Sequence, residues 1–185
     1  MLLSWIARRQ LDAFERTWSY DVTYLRDLLR DGGLQAILPL NALGKIGNYR
    51  RGVPAATYFA AKITASIDAD CGACAQITVR QAERAGVDPR TITALARGDL
   101  AALPAEARLG AELARATIAR DVGAANAVRE EIVGRWGHRA LAPLAYAIVA
   151  ARAYPILKYA LGYGHACERL SVGGREVQAR EFEPV

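Results

Sequence analysis

The sequence is poor in the residues that usually announce chemistry. Its 185 residues include three cysteines, two histidines and one methionine. Three cysteines in a chain of this size do not make a disulfide scaffold. There is no basic block. The net charge of +5 is mild, and the arginines are spread along predicted helix faces, whereas a nucleic-acid groove needs clustered charge. No glutamate lies between Glu15 and Glu83. The opening MLLSWIARRQ places its arginines after the apolar run and has no small-residue cleavage site, so no secretory signal is expected. A membrane span is not expected either. The most apolar window, residues 140–164, is interrupted by Arg152, Pro155 and Lys158, short of the roughly 20 apolar residues a spanning helix needs. It reads as a buried helix. The expectation is a cytoplasmic protein whose thiols stay reduced unless chemistry oxidises them.

Apolar residues make up 52% and charged residues 23%, the balance of a globular domain. The length suits one domain with a substantial core. Alanine dominates and phenylalanine is scarce, which predicts a core of closely packed, small-faced helices. No stretch within residues 1–170 alternates with period two, so the fold class is all-α. Residues 3–30 carry Trp5, Ile6, Leu11, Phe14, Trp18, Val22, Leu25 and Leu29 at helical spacing, with a stop at Asp31-Gly32-Gly33. A weaker helix, LQAILPLNALG, is interrupted by Pro39. PAATYFAAKITASI follows, and then a fourth helix carries Cys71 and Cys74, with Asp68 or Asp70 as N-cap and Gly86 as stop. Helices are expected over 88–97, 105–120, 124–136 and 138–162. The tail SVGGREVQAREFEPV is either unstructured or a weak ribbon.

The stretch DADCGACAQITVRQAERAG, residues 68–86, concentrates the chemistry. Two cysteines three apart at a helix start lie about one turn from each other. The open backbone N–H groups and the positive end of the helix dipole favour a thiolate there. Asp70 opposes it, so the sign of the net effect stays open. Two other readings stand beside the redox couple. Both cysteines can be small apolar fillers. They can also be half of a metal site completed from His138, His165 and Cys167, although a zinc site wants four well-placed ligands. No metal or cofactor is assigned.

The order of motifs ADCGAC, QAERAGVDPRTITALARGDLAALP and EEIVGRWG resembles the carboxymuconolactone decarboxylase and alkylhydroperoxidase D-like superfamily over about residues 50–165. The resemblance implies a helical bundle with residues 1–48 as an N-terminal helical extension, 49–170 as the core and 171–185 as a polar tail. It implies a homo-oligomer (trimer, hexamer or dimer), a redox partner protein, and a Cys71–Cys74 dithiol that cycles with the disulfide while reducing peroxides. The family's peroxidase pattern adds a histidine four residues after the second cysteine and a glutamate about twelve before the first. Thr78 and Phe59 occupy those places. Threonine donates a hydrogen bond but does not shuttle a proton near neutral pH. Lys62, Thr78 and His138 are the candidate supporting residues, with a solvated surface position the plainer expectation for Lys62. Three function classes follow: a thiol oxidoreductase with a different proton relay, a helical scaffold of the same superfamily without catalysis, and a Cys/His metal-binding protein. The decarboxylase branch has only the shared fold behind it.

Overall fold

The computed structural model describes residues 2–164 and 169–179. Among the described residues there are eight α-helices: α1 (Leu2–Trp18), α2 (Thr23–Ile46), α3 (Ala55–Asp68), α4 (Gly72–Arg84), α5 (Pro89–Arg97), α6 (Ala105–Ile118), α7 (Val122–Trp136) and α8 (Leu141–Ala160). A 3₁₀ turn, His138–Ala140, leads into α8, and a small antiparallel hairpin pairs β1 (Arg169–Val172) with β2 (Arg175–Gln178). The protein is all-α.

Helix α3 is the centre. Every residue from Thr57 to Ile67 is buried, and α6, α8, α4 and α5 pack around it. A helix hidden on all sides needs neighbours with small faces, and alanine supplies them: Ala60, Ala61 and Ala65 on α3 and Ala107, Ala111 and Ala114 on α6 are all fully buried. At the α3–α6 crossing the backbones nearly touch. A Cβ on Gly110 would lie 2.0 Å from the Thr57 carbonyl oxygen.

The single helix expected over residues 3–30 is two. It ends at Trp18, the chain turns through Ser19 at φ 46, and α2 begins at Thr23. The apolar spacing runs on across this break because both helices serve one cluster: Tyr20, Val22 and Tyr24 are buried with Cys71 and Cys74. The expected stop at Gly33 is a kink inside α2, where φ is 65 and ψ is −163. The tail is an ordered ribbon over residues 169–178, turned by Gly173 and Gly174, both with positive φ.

By length and composition His138–Ala160 is apolar enough to cross a membrane. In the fold it lays Leu144, Ala147, Ile148 and Ala151 into the core and keeps Tyr146, Val149 and Ile156 on the outside. Among the described residues it is the one helix that passes this test.

Candidate functional site: a buried thiol pair beside a cavity

Helix α4 begins abruptly. Asp70 takes φ 48, Cys71 is extended at φ −122 and ψ 98, and the first helical bond runs from the Ala75 N–H to the Cys71 carbonyl. Cys71 is therefore the N-cap residue itself. The expected caps serve elsewhere: Asp68 is ion-paired with Arg152 of α8, and Asp70 occupies the left-handed turn. This geometry leaves both thiols on one side of the helix start, with the sulfurs 2.8 Å apart and within hydrogen-bonding distance. Both residues are buried, Cys71 at 1% and Cys74 at 5% exposure.

The pair shares its protons unequally. The hydrogen bond shared with Cys74 pulls the Cys71 thiol below its ordinary range. Burial opposes that, the Cys74 backbone N–H and the Lys158 ammonium reinforce it, and Asp70 works weakly against it. Cys74 is pushed up, by the same hydrogen bond and by burial. In the reduced protein at neutral pH the negative charge belongs on Cys71 and the shared proton on Cys74.

Around the sulfurs is an aromatic and cationic shell. The Tyr20 hydroxyl lies 3.7 Å from the Cys74 sulfur and 3.5 Å from the Tyr24 hydroxyl. Burial raises both phenols well above their usual range, so they stay protonated. Lys158, only 2% exposed, holds its ammonium 5.3 Å and 5.4 Å from the Tyr20 and Tyr24 ring centroids, a cation–π arrangement that keeps a positive charge near the thiols.

A cavity of about 1010 Å³ opens between α1–α2 and the core helices α3, α4 and α8. Cys74 lines it and Cys71 does not. Its polar side is formed by Lys62, Ser66, Thr78 and Gln81. Lys62 donates to the Gly47 carbonyl at 2.9 Å and to the Gln81 side-chain oxygen at 2.8 Å. Burial lowers its pKa to about 8. The expectation of a solvated Lys62 is thus corrected. A helix buried on every side gives its lysine no route to water, and this one extends into the cavity instead. Thr78 faces the same space, but its hydroxyl donates to the Cys74 carbonyl at 2.9 Å and shares a hydrogen bond with Ser66. It bonds to the backbone of the thiol pair, not to a sulfur. His138 is exposed in the 3₁₀ turn before α8 and does not line the cavity. His165 and Cys167 lie outside the described residues. Among the described residues no three His, Cys, Asp or Glu side chains gather as a metal cluster.

Sequence reading missed Tyr20, Tyr24 and Lys158. Lysine in the middle of an apolar helix was a usable signal, since a charge placed there needs a reason. The tyrosines carried none, because 54 residues separate Tyr20 from Cys74.

The charge distribution has a direct readout. Reduced protein, titrated by thiolate ultraviolet absorbance, is expected to show one thiol ionising below the ordinary cysteine range and the second ionising above it. Because the folded pKa of Cys71 is depressed, this group's contribution to stability is complete above the ordinary value of 9.0 and is lost as pH falls through the lower folded value. Cys74→Ala removes the hydrogen bond and should move the Cys71 titration upward. A Cys71 midpoint unchanged in that variant would show that the second thiol does not set the first.

Comparison of the chain with protein families, curated proteins and solved structures gives no match.

Proposed function

We propose that this protein is a thiol-dependent oxidoreductase of the alkylhydroperoxidase D-like kind, reducing a hydroperoxide with the Cys71–Cys74 dithiol. One observation carries the reading: a thiol pair with its sulfurs 2.8 Å apart at a helix start, one of them opening onto a large cavity. The two thiols divide the work. The substrate reaches Cys74, and the Cys71 thiolate accepts the Cys74 proton as the Cys74 sulfur attacks the peroxide's terminal oxygen. The O–O bond breaks, the departing alkoxide takes the proton that Cys71 has just accepted and leaves as the alcohol, and Cys74 becomes a sulfenic acid. The Cys71 thiolate then attacks the Cys74 sulfur, a Cys71–Cys74 disulfide forms, and the hydroxide that leaves takes a proton from solvent and departs as water. One thiolate, one thiol, one hydroperoxide and one solvent proton give one disulfide, one alcohol and one water. An external dithiol returns the pair to the reduced state by exchange. The Tyr20 hydroxyl, 3.7 Å from the Cys74 sulfur, is within hydrogen-bonding distance of it but stays protonated, so it contributes a polar contact and leaves proton transfer to the two thiols.

Stoichiometric hydroperoxide added to reduced protein, followed by peptide mapping, tests this. The expected product is an intrachain Cys71–Cys74 disulfide formed faster than a free thiol reacts. Oxidation at Cys167 alone, or none, rejects the redox reading in favour of a packing role.

The same reading includes a homo-oligomer. The outer face of α8 exposes Tyr146, Val149, Ile156 and Tyr159, an apolar strip along a helix whose other face is core. Such strips mark contact surfaces. Light scattering of the native chain should give a multiple of the 20.0 kDa protomer, and Val149→Glu combined with Ile156→Glu should give the monomer. A monomeric native chain would remove this part of the proposal.

A further inference from the structure

We propose that the cavity is a binding site for a long-chain carboxylate, a fatty-acid-class ligand, with its head group on Lys62 and its chain along α1 and α2. The volume of about 1010 Å³ is at the upper end of the ~300–1,000 Å³ typical of ligand pockets. That is far more than a small hydroperoxide or a water cluster requires. The lining is divided. The wall built by α1 and α2 is mostly apolar, with Leu3, Ile6, Phe14, Leu34, Ile37 and Leu38 lining the space, and Gln10, Asn41 and Lys45 are its polar positions. The opposite wall carries Lys62.

Charge selects the sign of the ligand. Lys45 and Lys62 line the cavity, and among the described residues no aspartate or glutamate does. Lys62 is only 8% exposed. Its hydrogen-bond acceptors are both neutral, a backbone carbonyl and an amide oxygen, and it makes no ion pair among the described residues. An ammonium has three protons to donate, and these acceptors take two of them. A buried cation without a counter-charge is costly, and a ligand carboxylate supplies both the charge and the third acceptor. A phosphate would call for arginine's planar fork, and among the described residues no arginine lines the cavity. The apolar wall calls for a hydrocarbon chain, not a short polar acid.

This site stands whether or not the thiols turn over, and its test needs no redox chemistry. Reduced full-length protein is titrated calorimetrically with palmitate, kept below its micellar range, and with dodecyltrimethylammonium as an apolar chain of opposite head charge. Palmitate should bind once per chain, with the cationic amphiphile at least tenfold weaker. Lys62→Met should weaken palmitate tenfold or more, and Lys62→Arg should retain most of the affinity. Absence of saturable palmitate binding overturns the proposal, as does equal binding of the two amphiphiles or wild-type affinity in a folded Lys62→Met. Should that variant fail to fold, the decision rests on Ile37→Trp, which fills the apolar side away from Lys62. A tenfold loss of palmitate affinity there supports the site, and unchanged affinity rejects it.

Discussion

Cys74→Ser should abolish the reaction with hydroperoxide, whereas Cys71→Ser should still react, slowly, and stop at a sulfenic acid on Cys74. The asymmetry follows from two observations that point to different sulfurs. Cys71 is the more acidic, held down by the Cys74 hydrogen bond; Cys74 is the one that reaches the cavity. Acidity alone would make Cys71 the attacker. Access to this cavity favours Cys74, and the Cys71 thiolate beside it then serves as the base. Serine at 71 removes that base, and loss of general base catalysis costs about 10²–10⁴-fold. Serine at 74 removes the nucleophile itself. Rapid-mixing kinetics with a sulfenic-acid trap read both variants. The reverse pattern, with sulfenic acid trapped on Cys71 in the Cys74→Ser protein, would assign the attack to Cys71 and require the cavity to reach deeper than it does. Free-thiol rates at both positions would leave the pair without catalytic function.

The largest structural effect should come from a single methyl group at the centre. Gly110→Ala puts a Cβ 2.0 Å from the Thr57 carbonyl oxygen and 3.1 Å from the Ala61 nitrogen. The neighbouring atoms are backbone, so no side chain can swing away. α3 and α6 must separate, and α3 is wedged among four other helices. Overpacking of this kind costs about 1–3 kcal/mol and sometimes more, and the upper end applies where backbone meets backbone. A loss of about 3 kcal/mol corresponds to a melting temperature lower by roughly 6–12 °C in a chain of this size. Gly134→Ala, on exposed α7 with nothing within 4 Å, is the control and should be neutral or slightly stabilising, as alanine is the better helix former. Equal melting temperatures for the two variants would mean that the α3–α6 crossing is looser than described.

That crossing also shows what the sequence could and could not reveal. Alanine abundance with few large aromatics pointed to tight helix contacts, and the α3–α6 interface is built that way. The helix order from Pro54 onward was legible because Pro, Asp and Gly mark its boundaries: Asp88 caps α5 by accepting the Arg90 N–H, Asp121 caps α7, and Gly98 closes α5 in the left-handed conformation. The break at Ser19 was not legible. Apolar spacing reports which side of a helix is buried, and it stays in phase when two successive helices face one cluster. The thiol pair was readable as a motif, but its electrostatics were not. Whether Asp70 or the helix start prevails depends on a second sulfur 2.8 Å away and on Lys158 from the far end of the chain. Lys62 was misread for a similar reason. On a helix with no solvent face, hydropathy pattern carries no information about direction.

Helix α4 starts at the thiols and also grips the helices that enclose the cavity. Arg80 donates to the Trp18 and Ser19 carbonyls, and Arg84 donates to the Thr17 carbonyl while its guanidinium stacks 4.0 Å from the Trp18 ring centroid. On its other side Gln76 exchanges two hydrogen bonds with Ser171, and Glu83 accepts from Gly173. The helix is thus clamped along its length, and the residues before its first turn are held too, Asp70 through its carbonyl by the Tyr159 hydroxyl and Asp68 by Arg152. Were the thiols to close to a disulfide, the change would have to be absorbed within the first turn itself. The shape of the cavity is in this way tied to contacts that do not involve the sulfurs, so it does not depend on the state of the thiol pair.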